Sequence, residues 1–158
     1  MERKILFRGK TQYGEWFEGS YLQTDDNTNN PMQHRPLNLR HQIWSYWSGD
    51  WNMGGWSSMD VVPETVGQFT GLTDKNGKEI FEGDIIRFTR KQGYHTAETG
   101  AIHLVSYYSK SYTGYGINES SPLTMKKSNE CEVISNIHDN PEIKKKIESG
   151  EYELVNLN

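Results

Sequence analysis

The chain has one cysteine, Cys131, so an internal disulfide is excluded, and this usage fits a reducing cytoplasm. No run approaches the ~18 consecutive apolar residues of a membrane helix, so no membrane association is expected. The first residues, Met1 to Arg8, are charged without an apolar stretch behind them, so a cleaved secretory leader is not expected. Positive charge is not in excess. Seventeen Lys and Arg stand against 21 Asp and Glu, a net charge of -4, which argues against gripping nucleic acid by bulk charge and leaves only a local basic patch. Aliphatic residues are scarce too: hydrophobic residues make up 34% of the chain and mean hydropathy is -0.84, thin for a core. Aromatics offset this. Five Trp and nine Tyr in 158 residues bury the most area per side chain and exclude a disordered composition.

Periodicity and turn residues point to strands. Ile5 to Lys10 and Glu15 to Leu22 flank a polar stretch with Gly14 and read as a β-hairpin. Residues 25–38 are turn formers with two prolines and read as an exposed loop. Residues 41–57 are Trp- and Gly-rich: Gln42 to Trp47 alternate in part, and the glycines of Ser48 to Trp56 read as a loop. Met59 to Val62 form a short strand ended by Pro63. Asp74-Lys75-Asn76-Gly77 contains Asn-Gly, the signal for a type I′ hairpin turn. Ile80-Phe81, Glu82-Gly83-Asp84 and Ile85 to Phe88 read as strand, tight turn, strand, and Ala101 to Tyr108 as a buried strand. Strands are also expected near Ile117, over Glu132 to Ile137 and over Tyr152 to Leu157. Asn140-Pro141-Glu142 opens a helix, with Ile143 and Ile147 on one face and Gly150 as its C-terminal cap. The expected fold is therefore mainly β (β-dominated α+β), one domain over residues 1–158. It has an N-terminal hairpin, a small curved SH3-like barrel around residues 66–118 with bends at Gly83 and Gly100, and one short C-terminal helix. The segment from Glu15 to Leu22 (EWFEGSYL) matches the eight residues from Glu79 to Ile86 (EIFEGDII) at Glu, Phe, Glu and Gly, which predicts two equivalent bends with Phe17 and Phe81 buried.

Four stretches together resemble the YopX family of phage and prophage proteins. They are Ile5-Leu6-Phe7-Arg8-Gly9, the long core VGQFTGLTDKNGKEIFEGDII from Val66 to Ile86, the strand near Ile102, and EVISNIHDNPE from Glu132 to Glu142. Residues 41–57 have no counterpart in that resemblance. It implies an origin in phage or prophage and the cytoplasm of a bacterial host. It implies no activity and no catalytic residues.

Chemical motifs are few. His34, His41, His95, His103 and His138 form no His-x-x-x-His pair, and one cysteine gives no Cys-x-x-Cys, so no metal site is expected. Asp74-x-Asn76-Gly77 places its glycine too early for a calcium loop. Cys131 stands between Glu130 and Glu132, which disfavours a thiolate. Gly-x-Ser-x-Gly and phosphate-binding loops are absent, and no cofactor is expected. An enzymatic reading would need Glu79, Glu82 and Asp84 to converge with a histidine. The simpler role of Glu82-Gly83-Asp84 is to make a turn.

Two binding surfaces stand out. Arg87, Arg90 and Lys91, with Tyr94, can meet phosphates and stack a base, or they protect an edge strand with charge. Trp51 and Trp56, among Trp44, Tyr46 and Trp47, suit a recognition loop, or they supply the core of an aliphatic-poor chain. The sequence thus favours a non-enzymatic accessory module binding a protein or nucleic acid of host or phage, with a homo-oligomer compatible.

Overall fold

The computed structural model describes residues 4–25, 39–48, 54–89, 101–109, 113–118 and 121–149. Residues 26–38 of the loop expected at 25–38, Trp51, Arg90, Lys91, Tyr94, Gly100, Gly150 and the strand at 152–157 lie outside these residues, while Asp25 ends a strand. The chain packs as two units, Met1–Gln68 and Phe69–Asn158. The boundary falls inside one strand, with no change of composition to mark it.

The first unit is an antiparallel ladder. β1 (Phe7–Lys10) pairs with β2 (Trp16–Asp25) in the expected hairpin, Phe7 opposite Gly19. β2 passes to β3 (Leu39–Ser48), and β3 to β4 (Gly54–Asp60), giving the order β4-β3-β2-β1. The first residues of β5 (Gly67–Thr73) pair with β1 on its other side. A 3-10 turn, Pro63–Thr65, follows β4, and the Thr65 hydroxyl accepts from the Lys10 amide at 2.8 Å. Two glycines permit close approach here. A Cβ on Gly9 would sit 2.9 Å from the Val61 side chain, and one on Gly19 would sit 2.1 Å from the Trp44 carbonyl oxygen.

The second unit holds three small ladders. The remainder of β5 pairs with β6 (Glu79–Phe81). The turn between them is not type I′. Gly77 N–H donates to the Asp74 carbonyl at 3.0 Å, so Lys75 and Asn76 are the central residues and Gly77, with φ +82°, follows them. The buried Asp74 carboxylate fixes this turn by accepting from the amides of Asn76 (2.8 Å), Lys78 (3.0 Å) and Val133 (2.9 Å). β7 (Asp84–Phe88) is the centre of a second ladder, between β8 (Ile102–Leu104) and β12 (Cys131–Asn136). β9 (Ser106–Tyr108), β10 (Gly114–Asn118) and β11 (Ser121–Pro122) form the third. A short helix that the sequence did not announce, α1 (Met125–Ser128), is capped by the Thr124 hydroxyl. α2 (Pro141–Ser149) is the expected helix, with Ile143 buried and Ile147 half-buried.

β7 explains its own sequence. Ile86 and Phe88 join Ile80, Val105, Ile117, Leu123 and Cys131 in one cluster, while Ile85 joins Ile102 and Ile143 in another. A strand covered on both faces needs a continuous apolar run rather than alternation.

The barrel expected around residues 66–118 is not formed, and the described sheets do not close. β7 takes its second partner from β12, far outside that segment. Fully buried Val105 splits the expected strand at 101–108 into β8 and β9, which serve different sheets. The expected equivalence of the two Glu-x-Phe-Glu-Gly segments also fails. Gly83 has φ +84° and turns the chain from β6 into β7, whereas Gly19 lies inside β2 and is required by the backbone of Trp44. Phe81 is fully buried, and Phe17 only half-buried.

Candidate functional site

The acidic turn is structural. The Asp84 carboxylate, 1% exposed, accepts from the Phe81 amide at 2.8 Å, and its backbone carbonyl accepts from Val105 at 2.9 Å. Among the described residues no group of three His, Cys, Asp or Glu side chains is placed to hold a metal. His138 comes near this turn, its Nε2 lying 3.7 Å from where a Cβ on Gly83 would stand. Cys131 is buried and its thiol bonds to the Ser128 carbonyl. Burial first, then the carboxylates of Asp74 and Glu132, push this thiol up to about 12, which disfavours its thiolate near neutral pH.

Of the basic patch, Arg87 is the member described. Its guanidinium bonds to the Glu132 carboxylate through Nε at 2.8 Å and through Nη2, and Lys75 joins the same carboxylate at 2.7 Å. Hydrogen bonds from Lys75 and then Arg87 hold Glu132 below its usual range. A phosphate would have to compete with that carboxylate for Arg87.

The aromatic surface is open. Trp56, expected in a glycine loop, lies on β4 opposite Tyr46 on β3, because the two strands stay in register through Ser48 and Gly54. Their rings meet edge to face with centroids 5.6 Å apart. Trp56 is 65% exposed and Tyr46 60%, and Trp47 on the neighbouring position is half exposed. Small residues make this possible: Gly54, Gly55, Ser57 and Ser58 give the ribbon little bulk of its own.

Farther along the same two strands is a cleft of about 560 Å³, lined by both strands and the β1–β2 turn. Arg40 Nη2 donates to both oxygens of Asp60, at 3.0 and 2.7 Å, and Gln42 Nε2 donates to the same carboxylate at 2.8 Å. Those bonds, Arg40's first, hold the Asp60 carboxyl below the usual range. Tyr13 stands at the lip, largely exposed. These residues come from positions 13, 40–42 and 58–60, with no spacing that a linear motif could carry.

The family model of the YopX protein matches residues 6–144. The chain belongs to the YopX family. The match takes in all four stretches on which the resemblance rests apart from Ile5, and also the β3–β4 ribbon. Among solved structures, this YopX chain is similar to the crystal structure of protein EF1440 from Enterococcus faecalis. The two are 24% identical, with 90% of this chain and 99% of that chain covered and a TM-score of 0.49. No curated protein matches it. Among the described residues of this YopX protein no helix is long and apolar enough to cross a membrane.

Proposed function

We propose that this YopX protein is a non-enzymatic accessory module, encoded by phage or prophage and acting in the host cytoplasm, that binds a protein partner through the aromatic ribbon of β3 and β4. One observation carries the reading: large apolar side chains are left in water on the first unit, with Tyr46, Trp47 and Trp56 grouped at one end of the ribbon. Exposed Trp and Tyr set among Ser and Gly are characteristic of recognition surfaces, since rigid rings lose little entropy on binding and fill partner pockets. Between Ile43 and Met59 the only charged residue is Asp50, so the aromatic end of the ribbon carries no cation for a phosphate backbone. A protein partner is favoured over nucleic acid for that reason, and because Arg87 already serves Glu132.

The test is affinity capture with the tagged full chain from lysogenic or infected cells. A captured protein is expected to survive nuclease treatment and to be lost with Tyr46→Ala/Trp56→Ala, while the double variant keeps its circular dichroism spectrum. Capture that nuclease abolishes, or a partner retained by the double variant, overturns the reading.

A further inference from the structure

We infer that the cleft beside Tyr13 is a second, separate binding site, for a neutral polyhydroxylated ligand such as a sugar ring. Its two charged lining groups, Arg40 and Asp60, are paired with each other, so the lining carries no net charge. An anionic ligand would meet the Asp60 carboxylate, and a cationic one would have to displace Arg40. A neutral ligand avoids both costs.

The hydrogen-bonding inventory narrows the class. Arg40 and Gln42 fix the orientation of Asp60, yet its side chain remains 60% exposed, so lone pairs stay open to the cleft. Gln42, itself buried, spends its amide nitrogen on holding Asp60, and Ser58 adds a hydroxyl to the lining. A lining biased toward acceptors suits a ligand rich in O–H donors. Asp60 Oδ1 already accepts from both Arg40 and Gln42, so a ligand hydroxyl is left to Oδ2, which has one donor from Arg40.

The lining is also partly apolar: Met59, Val62 and Pro63 line the cleft, with Met59 and Val62 each more than a third exposed. The Tyr13 ring at the lip is 82% exposed. A sugar ring has this same division, with hydroxyls at its edge and C–H groups on its faces. The volume lies within the ~300–1,000 Å³ common for small-ligand sites.

The experiment titrates the isotopically labelled full chain with glucose, galactose, N-acetylglucosamine and glycerol, following amide shifts by NMR, with acetate and phosphate as controls. At least one sugar is expected to give saturable shifts at Tyr13, Gln42, Ser58 and Asp60, with affinity on the order of 1–10 mM. Neither anion should do so. Asp60→Asn should weaken binding by about tenfold or more. Tyr13→Ala, at an exposed position, should weaken it several-fold with an unchanged melting temperature. If Asp60→Asn does not fold, Tyr13→Ala alone decides. No saturable shift with any sugar, saturation by acetate or phosphate instead, or equal sugar binding by Tyr13→Ala overturns the inference. Because Tyr46 and Trp56 are untouched, loss of sugar binding here and loss of the protein partner there are separately visible.

Discussion

The two units of this YopX chain use their apolar residues in opposite ways. Among the described residues, the first unit buries only Ile43 and Val61 of its large apolar side chains and exposes Ile5, Tyr13, Leu22, Leu39, Tyr46, Trp47, Trp56, Met59 and Val62. The second buries twelve, Phe69 through Ile143, and exposes only Tyr107 and Met125. Burial is what stabilises a fold, and exposure of large rings costs solubility unless it serves recognition. The second unit therefore holds most of the described apolar burial, and the first leaves more large side chains in water. All five tryptophans lie in the first unit, so intrinsic fluorescence reports on it selectively.

The largest expected effect is in the second unit. Phe81 is 1% exposed and packs on Phe69 with centroids 5.6 Å apart, so Phe81→Ala should cost about 3–5 kcal/mol in urea denaturation. A loss below about 1 kcal/mol would mean that burial of Phe81 does not stabilise the second unit, and the contrast between the units would fall. Asp74→Ala should follow at about 2–3 kcal/mol, because it strands three amides, one of them on β12. Asp74→Asn tests the same point more gently, since its side-chain oxygen can still accept one of those bonds.

How much of this was legible follows from which residues act locally. The N-terminal hairpin and α2 could be read because their signals lie within a few residues: Gly14 between apolar runs, and Asn140-Pro141-Glu142 ahead of Ile143. The pairing of β7 with β12 could not, since Ile86 and Val133 are cross-strand partners separated in sequence by four strands and a helix, and neither pattern names the other. The same limit hid the barrel's failure. Trp56 was misread because Gly54-Gly55 has poor strand propensity, and the register with β3 overrides it. Gly19 and Gly83 share neighbouring letters but answer different demands, a close backbone approach and a positive φ, which eight residues cannot distinguish. Tyr13, Arg40, Gln42 and Asp60 carried no linear signal. The cleft exists only once three segments meet.

A smaller effect should appear on acidification. Burial, and secondarily the nearby Lys127 charge, lowers the His103 pKa, and the ring packs edge to face on Phe88. The folded state therefore favours the neutral ring. Stability is fully present above the ordinary value of 6.5 and falls as pH drops below it, because the unfolded chain takes up the proton first. Glu132 acts in the same direction at lower pH: its ion pairs are in place above 4.5 and are lost as it protonates. Denaturation midpoints measured between about pH 8 and 5 should decline below neutrality, and His103→Leu should flatten that decline. An unchanged slope in the variant would remove His103 as its source.

The smallest expected effect is the one that tests the contrast most directly. Trp56 is the largest side chain on β4, and in a core its removal would cost as much as that of Phe81. At 65% exposure, with one edge-to-face partner in Tyr46, it forfeits little burial, and an aromatic pair of this kind contributes about 0.5–1.5 kcal/mol. Trp56→Ala should therefore cost about 1 kcal/mol or less. Acrylamide should quench a readily accessible fraction of the tryptophan fluorescence, and Trp56→Phe should reduce that fraction while the midpoint stays in place. Stability and accessibility must move apart for a ring that faces water. A loss approaching that of Phe81→Ala, together with an unquenchable Trp56, would place the ring in a core or against a second copy of the chain. The concentration dependence of the midpoint separates those two outcomes, since only association makes stability rise with protein concentration.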